Sequence, residues 1–171
     1  MIRAFYVGRF QPYHLGHDNI IKTIAKEVDE IVIGIGSAQK SHSPRDPFTA
    51  GERVEMVLKA LEDFPIRHYI IPLEDVEYNS LWVSHVKSMS PKFDVVYSNN
   101  PLVIQLFIEA GIEVRRPAMY ERDIYSGTAV RQAMIDSKNG EWEKYVPPTV
   151  AGVIHTIDGV CRIKRVASTD R

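Results

Sequence analysis

The feature that most constrains this 171-residue chain is a regular alternation of short β-rich runs with amphipathic helical runs. Ile2–Val7 reads as a first strand. Ile20, Ile21, Ile24, Ala25 and Val28 then recur at helical spacing, with Lys22, Lys26 and Glu27 on the other face. Glu30–Ile35 is a second strand, apolar on both faces as strands in a covered parallel sheet tend to be. Thr49-Ala50-Gly51-Glu52 has the capping-box pattern and opens a helix carrying Val54, Val57, Leu58 and Leu61. Strands at Tyr69–Ile71, Asp94–Tyr97 and Glu113–Arg115 alternate with helices around Leu81–Met89 and Leu102–Ala110, the latter stopped by Gly111. Ser126–Ser137 and Pro148–Ile157 read as the last helices, and the final dozen residues carry no assignment. The pattern predicts an α/β fold: a doubly wound parallel sheet with helices on both faces and C-terminal helices. Ligands of such sheets bind beyond the carboxyl ends of the strands, which names the turns to search.

A chain of this length supports one full core, so residues 1–171 are expected to form a single domain. The 21 Lys and Arg against 22 Asp and Glu give a net charge of -1, which argues against a protein that coats nucleic acid or anionic membrane. Apolar residues make up 44% of the chain, too many for intrinsic disorder. Cys161 is the sole cysteine, which excludes an intrachain disulfide and a cysteine zinc cage. No run approaches the roughly 20 apolar residues of a membrane helix, and the start does not look like a signal peptide. The expectation is a soluble, cytoplasmic protein.

The turn Gly8-Arg9-Phe10-Gln11-Pro12-Tyr13-His14-Leu15-Gly16-His17 leads from the first strand into the first helix. His14 and His17 share one face of the first helical turn, where free backbone amides and the positive helix end favour an anion. Imidazoles there can donate to phosphate oxygens, and Gly8 and Gly16 let a ligand approach the backbone. A helix cap plus a packed side chain is the plain alternative for the two histidines. A metal site built on them lacks a third ligand and the Glu of H-E-x-x-H, so no protein-held metal is expected.

His14-Leu15-Gly16-His17 resembles the H-x-G-H signature of the nucleotidyltransferase superfamily, which implies chemistry at the α-phosphate of ATP on a Rossmann-like sheet. A class I aminoacyl-tRNA synthetase shares the signature, but this chain has no room for a tRNA-binding domain. Ser126-Gly127-Thr128-Ala129-Val130-Arg131 resembles the companion S-x-T-x-x-R motif. Its hydroxyls at a helix start can bind phosphate while capping, and Arg131 shares a face with Thr128. No G-x-x-x-x-G-K-[ST] is present, and Gly34-Ile35-Gly36-Ser37-Ala38-Gln39 lacks the third glycine of the dinucleotide fingerprint. Gly34 and Gly36 suit either a nucleotide against the backbone or a plain turn.

Lys40, His42 and Arg45 place positive charge on the loop before the second long helix, and Asn79 and Trp82 stand three apart after the third strand. A Trp face can hold a pyridinium ring, worth about 0.5–2 kcal/mol, and an Asn amide can pair with a carboxamide. Trp82 is equally suited to core packing. The segments Gly-Arg-Phe-Gln-Pro, Gly-Ser-Ala-Gln-Lys-Ser-His, Pro-Phe-Thr-Ala-Gly-Glu-Arg, Asn-Ser-Leu-Trp-Val, Ser-Asn-Asn-Pro-Leu-Val and Tyr-Ser-Gly-Thr together resemble the archaeal-type nicotinamide-nucleotide adenylyltransferases, over Met1 to about Gly159.

The resemblance implies NAD synthesis from ATP and nicotinamide mononucleotide, with Mg²⁺ carried on the ATP phosphates and a homo-oligomer, a hexamer, as the assembly. It implies catalytic roles for His14, His17, Arg45 and Arg131, and ATP or phosphate contacts for Gly8, Arg9, Phe10, Gln11, Lys40, Ser126 and Thr128. Asn79 and Trp82 would hold nicotinamide. Another phosphate acceptor, such as phosphopantetheine or nicotinate mononucleotide, and a non-catalytic nucleotide-sensing module are the alternatives. Ser98-Asn99-Asn100-Pro101 departs from the Ser-Gly-Asn-Pro of that family, and Asn is among the residues that tolerate left-handed backbone there. Arg9, His14, His17, Lys40, His42, Arg45 and Arg131 all fall at the predicted ligand edge, so the near-zero net charge is expected to hide a local cationic pocket.

Overall fold

A computed structural model of the chain describes residues 1–137 and 139–168. Five strands, β1 (Arg3–Gly8), β2 (Glu30–Ile35), β3 (Arg67–Pro72), β4 (Val95–Tyr97) and β5 (Glu113–Arg115), form one sheet in the order β3-β2-β1-β4-β5. Every neighbouring pair is parallel. The chain starts in the middle, winds outward through β2 and β3, then crosses to β4 on the other side of β1. This is the predicted double winding, and its order reverses beside β1, where the strand ends open a crevice.

Seven α-helices lie among the described residues: α1 (Leu15–Ile24), α2 (Ala50–Ala60), α3 (Trp82–Met89), α4 (Pro101–Glu109), α5 (Gly127–Asp136), α6 (Pro148–Thr156) and α7 (Gly159–Ser168). Side chains alternate across the sheet. Ala4, Tyr6, Ile31, Ile33 and Ile35 face a core shared with Ile21 and Ile24 of α1, Met56 of α2, Val130 of α5 and Ile154 of α6. Phe5, Val32 and Val96 face the opposite layer, with Val83 and Val86 of α3 and Phe107 of α4. Fully burying one such side chain contributes about 1.5–3 kcal/mol. Gly34 belongs to this packing, because a Cβ there would meet Leu73 Cδ1 at 2.8 Å. Gly36, by contrast, lies past the strand end at the crevice.

Each predicted element is present, with ends shifted by one to three residues in most cases; β2 and β5 match at both ends. The unassigned tail is α7, whose apolar signal is short because one side chain, the buried Ile163, carries much of its docking. Arg162 adds a two-pronged ion pair, donating to Glu52 Oε1 at 2.5 Å and Oε2 at 2.8 Å, which holds the Glu52 carboxyl below the usual range. Glu52 also completes the capping box with Thr49, so the tail is tied to the start of α2. Residues 169–171 of that tail lie outside the described residues. None of the described helices is long and apolar enough to cross a membrane.

Candidate active site

The turn between β1 and α1 is held by its own histidines. His14 is the N-cap of α1 and its Nδ1 accepts from the amides of Gly16 and His17, at 3.1 and 3.4 Å. His17 Nδ1 accepts in return from the His14 amide at 3.2 Å, and the two rings stack with centroids 3.7 Å apart. The predicted free amides at this helix start are therefore occupied, because imidazole nitrogens cap them. A backbone amide can only donate, so both Nδ1 atoms are unprotonated and each neutral ring carries its proton on Nε2. Burial, with Arg131 nearby, pulls the His14 pKa down to about 3. Burial and the adjacent His14 push His17 well below its ordinary value too. The two imidazoles are thus neutral donors and add no charge to the expected cationic pocket.

Phe10 lies beneath them, buried, with φ of 53° and its ring 4.6 Å from that of His17. Gln11 is buried as well, and its amide pairs with both backbone groups of Phe48, donating to O at 3.0 Å and accepting from N at 2.9 Å. Its polar ends thus join the first turn to the loop before α2. Gly16 is required by close approach, since a Cβ would meet Tyr125 O at 2.7 Å.

The cationic centre is built of arginines. A cavity of about 540 Å³ is lined by Arg9, Arg45, Arg122 and Arg131 together with His17, Phe10, Gln11, Ser126, Gly127 and Thr128. Arg9 is half-buried and ion-paired with the buried Asp46, while its Nε is buried without a protein partner. Arg131 donates to the Gln11 carbonyl at 3.0 Å and lies 3.5 Å from Thr128 Oγ1. Burial and the neighbouring Arg9 lower its pKa, the expected response of cations crowded together. Ser126 caps α5 by accepting from the Ala129 amide at 3.1 Å. The amides of Gly127 and Thr128 have no intrahelical partner, and both residues line the cavity.

Two further cavities adjoin this one. A cleft of about 380 Å³ shares Arg9 with it and is lined by Gly8, Gly36, Asp75, Asn79 and Trp82, with Leu102 and Leu106 behind. Asn79 opens a short 3-10 turn and Trp82 starts α3, so their three-residue spacing places both on one wall, as expected. Trp82 is also packed edge-on to Phe107 at 5.6 Å, so one side chain both lines the cleft and joins the core. On the other side, a cavity of about 220 Å³ shares His17, Arg122, Ser126 and Gly127, and adds Tyr6, His14, Tyr120 and Tyr125. The structure does not bring Lys40 to the arginine-lined centre. Its Nζ lies 3.7 Å from Asp75 Oδ2 at the cleft. Asn99 does not take the left-handed conformation and lines none of the three cavities. Its amide donates to Pro117 O at 2.7 Å.

The cytidylyltransferase-like family model matches residues 5–133. The nicotinamide-nucleotide adenylyltransferase of Methanosarcina barkeri is 62% identical, over 99% of this chain and 97% of that protein. That of Halobacterium salinarum is 58% identical over 99% and 95%. The chain belongs to the nicotinamide-nucleotide adenylyltransferase family. The fold is shared more widely. A bifunctional NMN adenylyltransferase/ADP ribose pyrophosphatase from Francisella tularensis, complexed with AMP and a manganese ion, superimposes with a TM-score of 0.77 at 20% identity. The match covers 99% of this chain and 53% of that one. TmcAL of Thermotoga maritima, bound with alpha-thio ATP, matches with a TM-score of 0.72 at 12% identity, over 95% and 57%.

In this adenylyltransferase three site residues went unassigned from sequence. Arg53 is fully buried, and its guanidinium donates to the carbonyls of Thr49, Arg9, Gly36, Ser37, Ala38 and Lys40 at 2.9–3.4 Å. It gathers the two turns that follow β1 and β2, and burial lowers its pKa to about 10. Asp46 partners Arg9, and Arg122 lies between two cavities. Only Arg53 had a signal, the Gly-Glu-Arg of a helix start, and nothing local reveals that its partners are carbonyls of remote loops.

Proposed function

We propose that this chain transfers the adenylyl group of ATP to nicotinamide mononucleotide, giving NAD and pyrophosphate. The observation that carries the proposal is the central arginine-lined cavity with a cleft on each side, joined through Arg9 on one and His17 on the other. That arrangement suits two nucleotides meeting through their phosphates. The names of the archaeal relatives support it.

A phosphate oxygen of nicotinamide mononucleotide attacks the α-phosphorus in line. A new P–O bond forms, the bond to the bridging oxygen of the β-phosphate breaks, and pyrophosphate leaves. The attacking phosphate is anionic at neutral pH, its second pKa being about 6 as for other phosphate monoesters, so no general base is needed. Catalysis then rests on positioning and on stabilising charge at the five-coordinate phosphorus. His14 and His17 donate through Nε2 to ATP phosphate oxygens. Arg45 and Arg131 stabilise the triphosphate and the transition state, with Ser126 and Thr128 at the phosphates and Arg9 offering its unpartnered Nε. Gly8 and Gly36 admit the nucleotides close to the backbone, while Phe10 and Gln11 shape the turn. Trp82 stacks on the pyridinium and Asn79 reads the carboxamide. Lys40 is reassigned to the rim of the acceptor cleft.

Mg²⁺ enters with ATP as part of the substrate. The donors lining the centre are guanidinium, imidazole and hydroxyl groups suited to phosphate, and no cluster of three or more His, Cys, Asp or Glu suited to a metal occurs among the described residues. Cytoplasmic location and assembly into a homo-oligomer, a hexamer, belong to the same reading, the latter tested by light scattering. The test of the reaction is pyrophosphate release from MgATP with nicotinamide mononucleotide, nicotinate mononucleotide and phosphopantetheine as acceptors. Turnover with a pyridine mononucleotide supports the proposal. Turnover with phosphopantetheine alone, or with none, overturns it in favour of another acceptor or of nucleotide sensing.

A further inference from the structure

We infer that Asp75 makes the acceptor cleft select a pyridinium ring bearing a neutral carboxamide over one bearing a carboxylate. The inference rests on the proposal that this cleft takes the pyridine mononucleotide.

Among the described residues, two charged ones line the cleft, Arg9 and Asp75. The Arg9 charge is balanced by its ion pair with Asp46. Asp75 is anchored by uncharged donors: Oδ1 accepts from Ser37 Oγ at 3.1 Å and Oδ2 from Gln39 Nε2 at 2.9 Å. The Asp75 amide donates back to Gln39 Oε1 at 3.0 Å, so a reciprocal pair fixes the carboxylate in place. Neutral donors orient a charge without cancelling it. Lys40 Nζ lies 3.7 Å away, in an ion pair whose two side chains are both about half-exposed, so the pair is weak. Glu74 and Glu77 flank Asp75 in sequence and are exposed, which adds to the negative field at this wall.

A fixed anion at the cleft separates the two candidate acceptors by their ring substituent. Both carry the positive pyridinium nitrogen, and that attraction is common to them. Only nicotinate mononucleotide adds a ring carboxylate, which Asp75 repels and which weakens the ring's cationic contact with Trp82. The Asn79 amide supplies both a donor and an acceptor, matching a carboxamide, whereas a carboxylate offers no donor to it. The remaining parts of the two acceptors are identical, so their ratio isolates the ring substituent.

The experiment measures kcat/KM for both mononucleotides at saturating MgATP, at low and raised ionic strength, for the unmodified protein, Asp75→Asn and Lys40→Gln. Asp75→Asn is expected to narrow the preference for nicotinamide mononucleotide by about three- to thirtyfold, mainly through KM of the nicotinate substrate. Lys40→Gln removes the opposing charge and is expected to widen it. Raised salt should compress both differences. Effects of Lys40 on ATP, or of local structure on turnover, act on both acceptors and cancel in the ratio. An unchanged ratio in Asp75→Asn, or both variants shifting it in the same direction, overturns the inference while leaving adenylyl transfer intact. Failure of the unmodified protein to use either mononucleotide overturns the proposed function, and this inference with it.

Discussion

His14 and His17 each cap the backbone amide of the other, and this reciprocal contact fixes both rings as neutral, Nε2-protonated donors. The residues proposed to bind phosphate are therefore the same residues that start α1. His17→Ala is expected to lower kcat by about 10²–10³ with little change in the ATP KM, as for loss of a preorganised donor at a developing charge. Steady-state kinetics checks this, and equal losses in kcat and binding would assign His17 to ground-state binding.

Acid stability follows from the same pair. Both histidines have folded-state pKa values below the ordinary 6.5, His14 at about 3, so the unfolded chain binds more protons in that interval. Stability present above pH 6.5 is thus lost as pH falls toward 3, by up to about 1.4 kcal/mol per pH unit from His14, and His17 adds to the loss in the same direction. His14→Asn keeps an N-cap but cannot titrate. Its unfolding midpoint in urea, followed from pH 7 to pH 4, should decline less steeply than that of the unmodified protein.

Gly127→Ala separates fold from chemistry. Alanine at this first helical position restricts the unfolded chain by about 0.4–1 kcal/mol, which offsets part of the bond lost from Arg131, so Tm is expected to move by only a few degrees. Its Cβ would come within 2.6 Å of Arg131 Nη1, displacing the guanidinium from the Gln11 carbonyl. A kcat loss of tenfold or more with Tm within a few degrees of the unmodified protein is the expected outcome, read by calorimetry and turnover on one preparation.

Trp82→Ala should raise KM for nicotinamide mononucleotide by about three- to thirtyfold, the loss of one cation–π contact, and leave the ATP KM unchanged. Because Trp82 also packs on Phe107, Tm should fall by several degrees. A parallel rise in both KM values would remove Trp82 from the acceptor site.

Arg53→Met leaves buried carbonyls from two loops without donors, at about 1–3 kcal/mol each for those that find no replacement. The expected fall in Tm is roughly 10 °C or more. Arg53→Lys, with three donors for six carbonyls, should fall between, with KM for both substrates raised because both turns loosen.

The fold was legible because each element up to α6 carries its own local signal: β2 is apolar on both faces, α2 has its capping box, and α4 ends at Gly111. The motifs of the β1–α1 turn and of the α5 start were equally plain, since the turn's donors lie within ten residues of one another. What sequence hid were dependencies between distant segments. Gln11 looked like a ligand contact, yet its amide is committed to Phe48, 37 positions away. Lys40 looked like a phosphate contact, yet it lies beside Asp75. The two histidines looked like charge carriers, yet burial keeps them neutral. The cause is the same in each case: the partner that decides a polar group's role is set by tertiary packing.

The bond from Arg131 to the Gln11 carbonyl spans 120 positions, and it bears on how the protein is made. As a growing chain emerges N-terminus first, the histidine turn and the acceptor cleft are complete in sequence before α5 exists. The guanidinium that closes the centre is among the last parts to arrive. Until α5 docks, the Gln11 carbonyl lacks its Arg131 donor, so the first turn of the chain and the last motif of the centre become complete together.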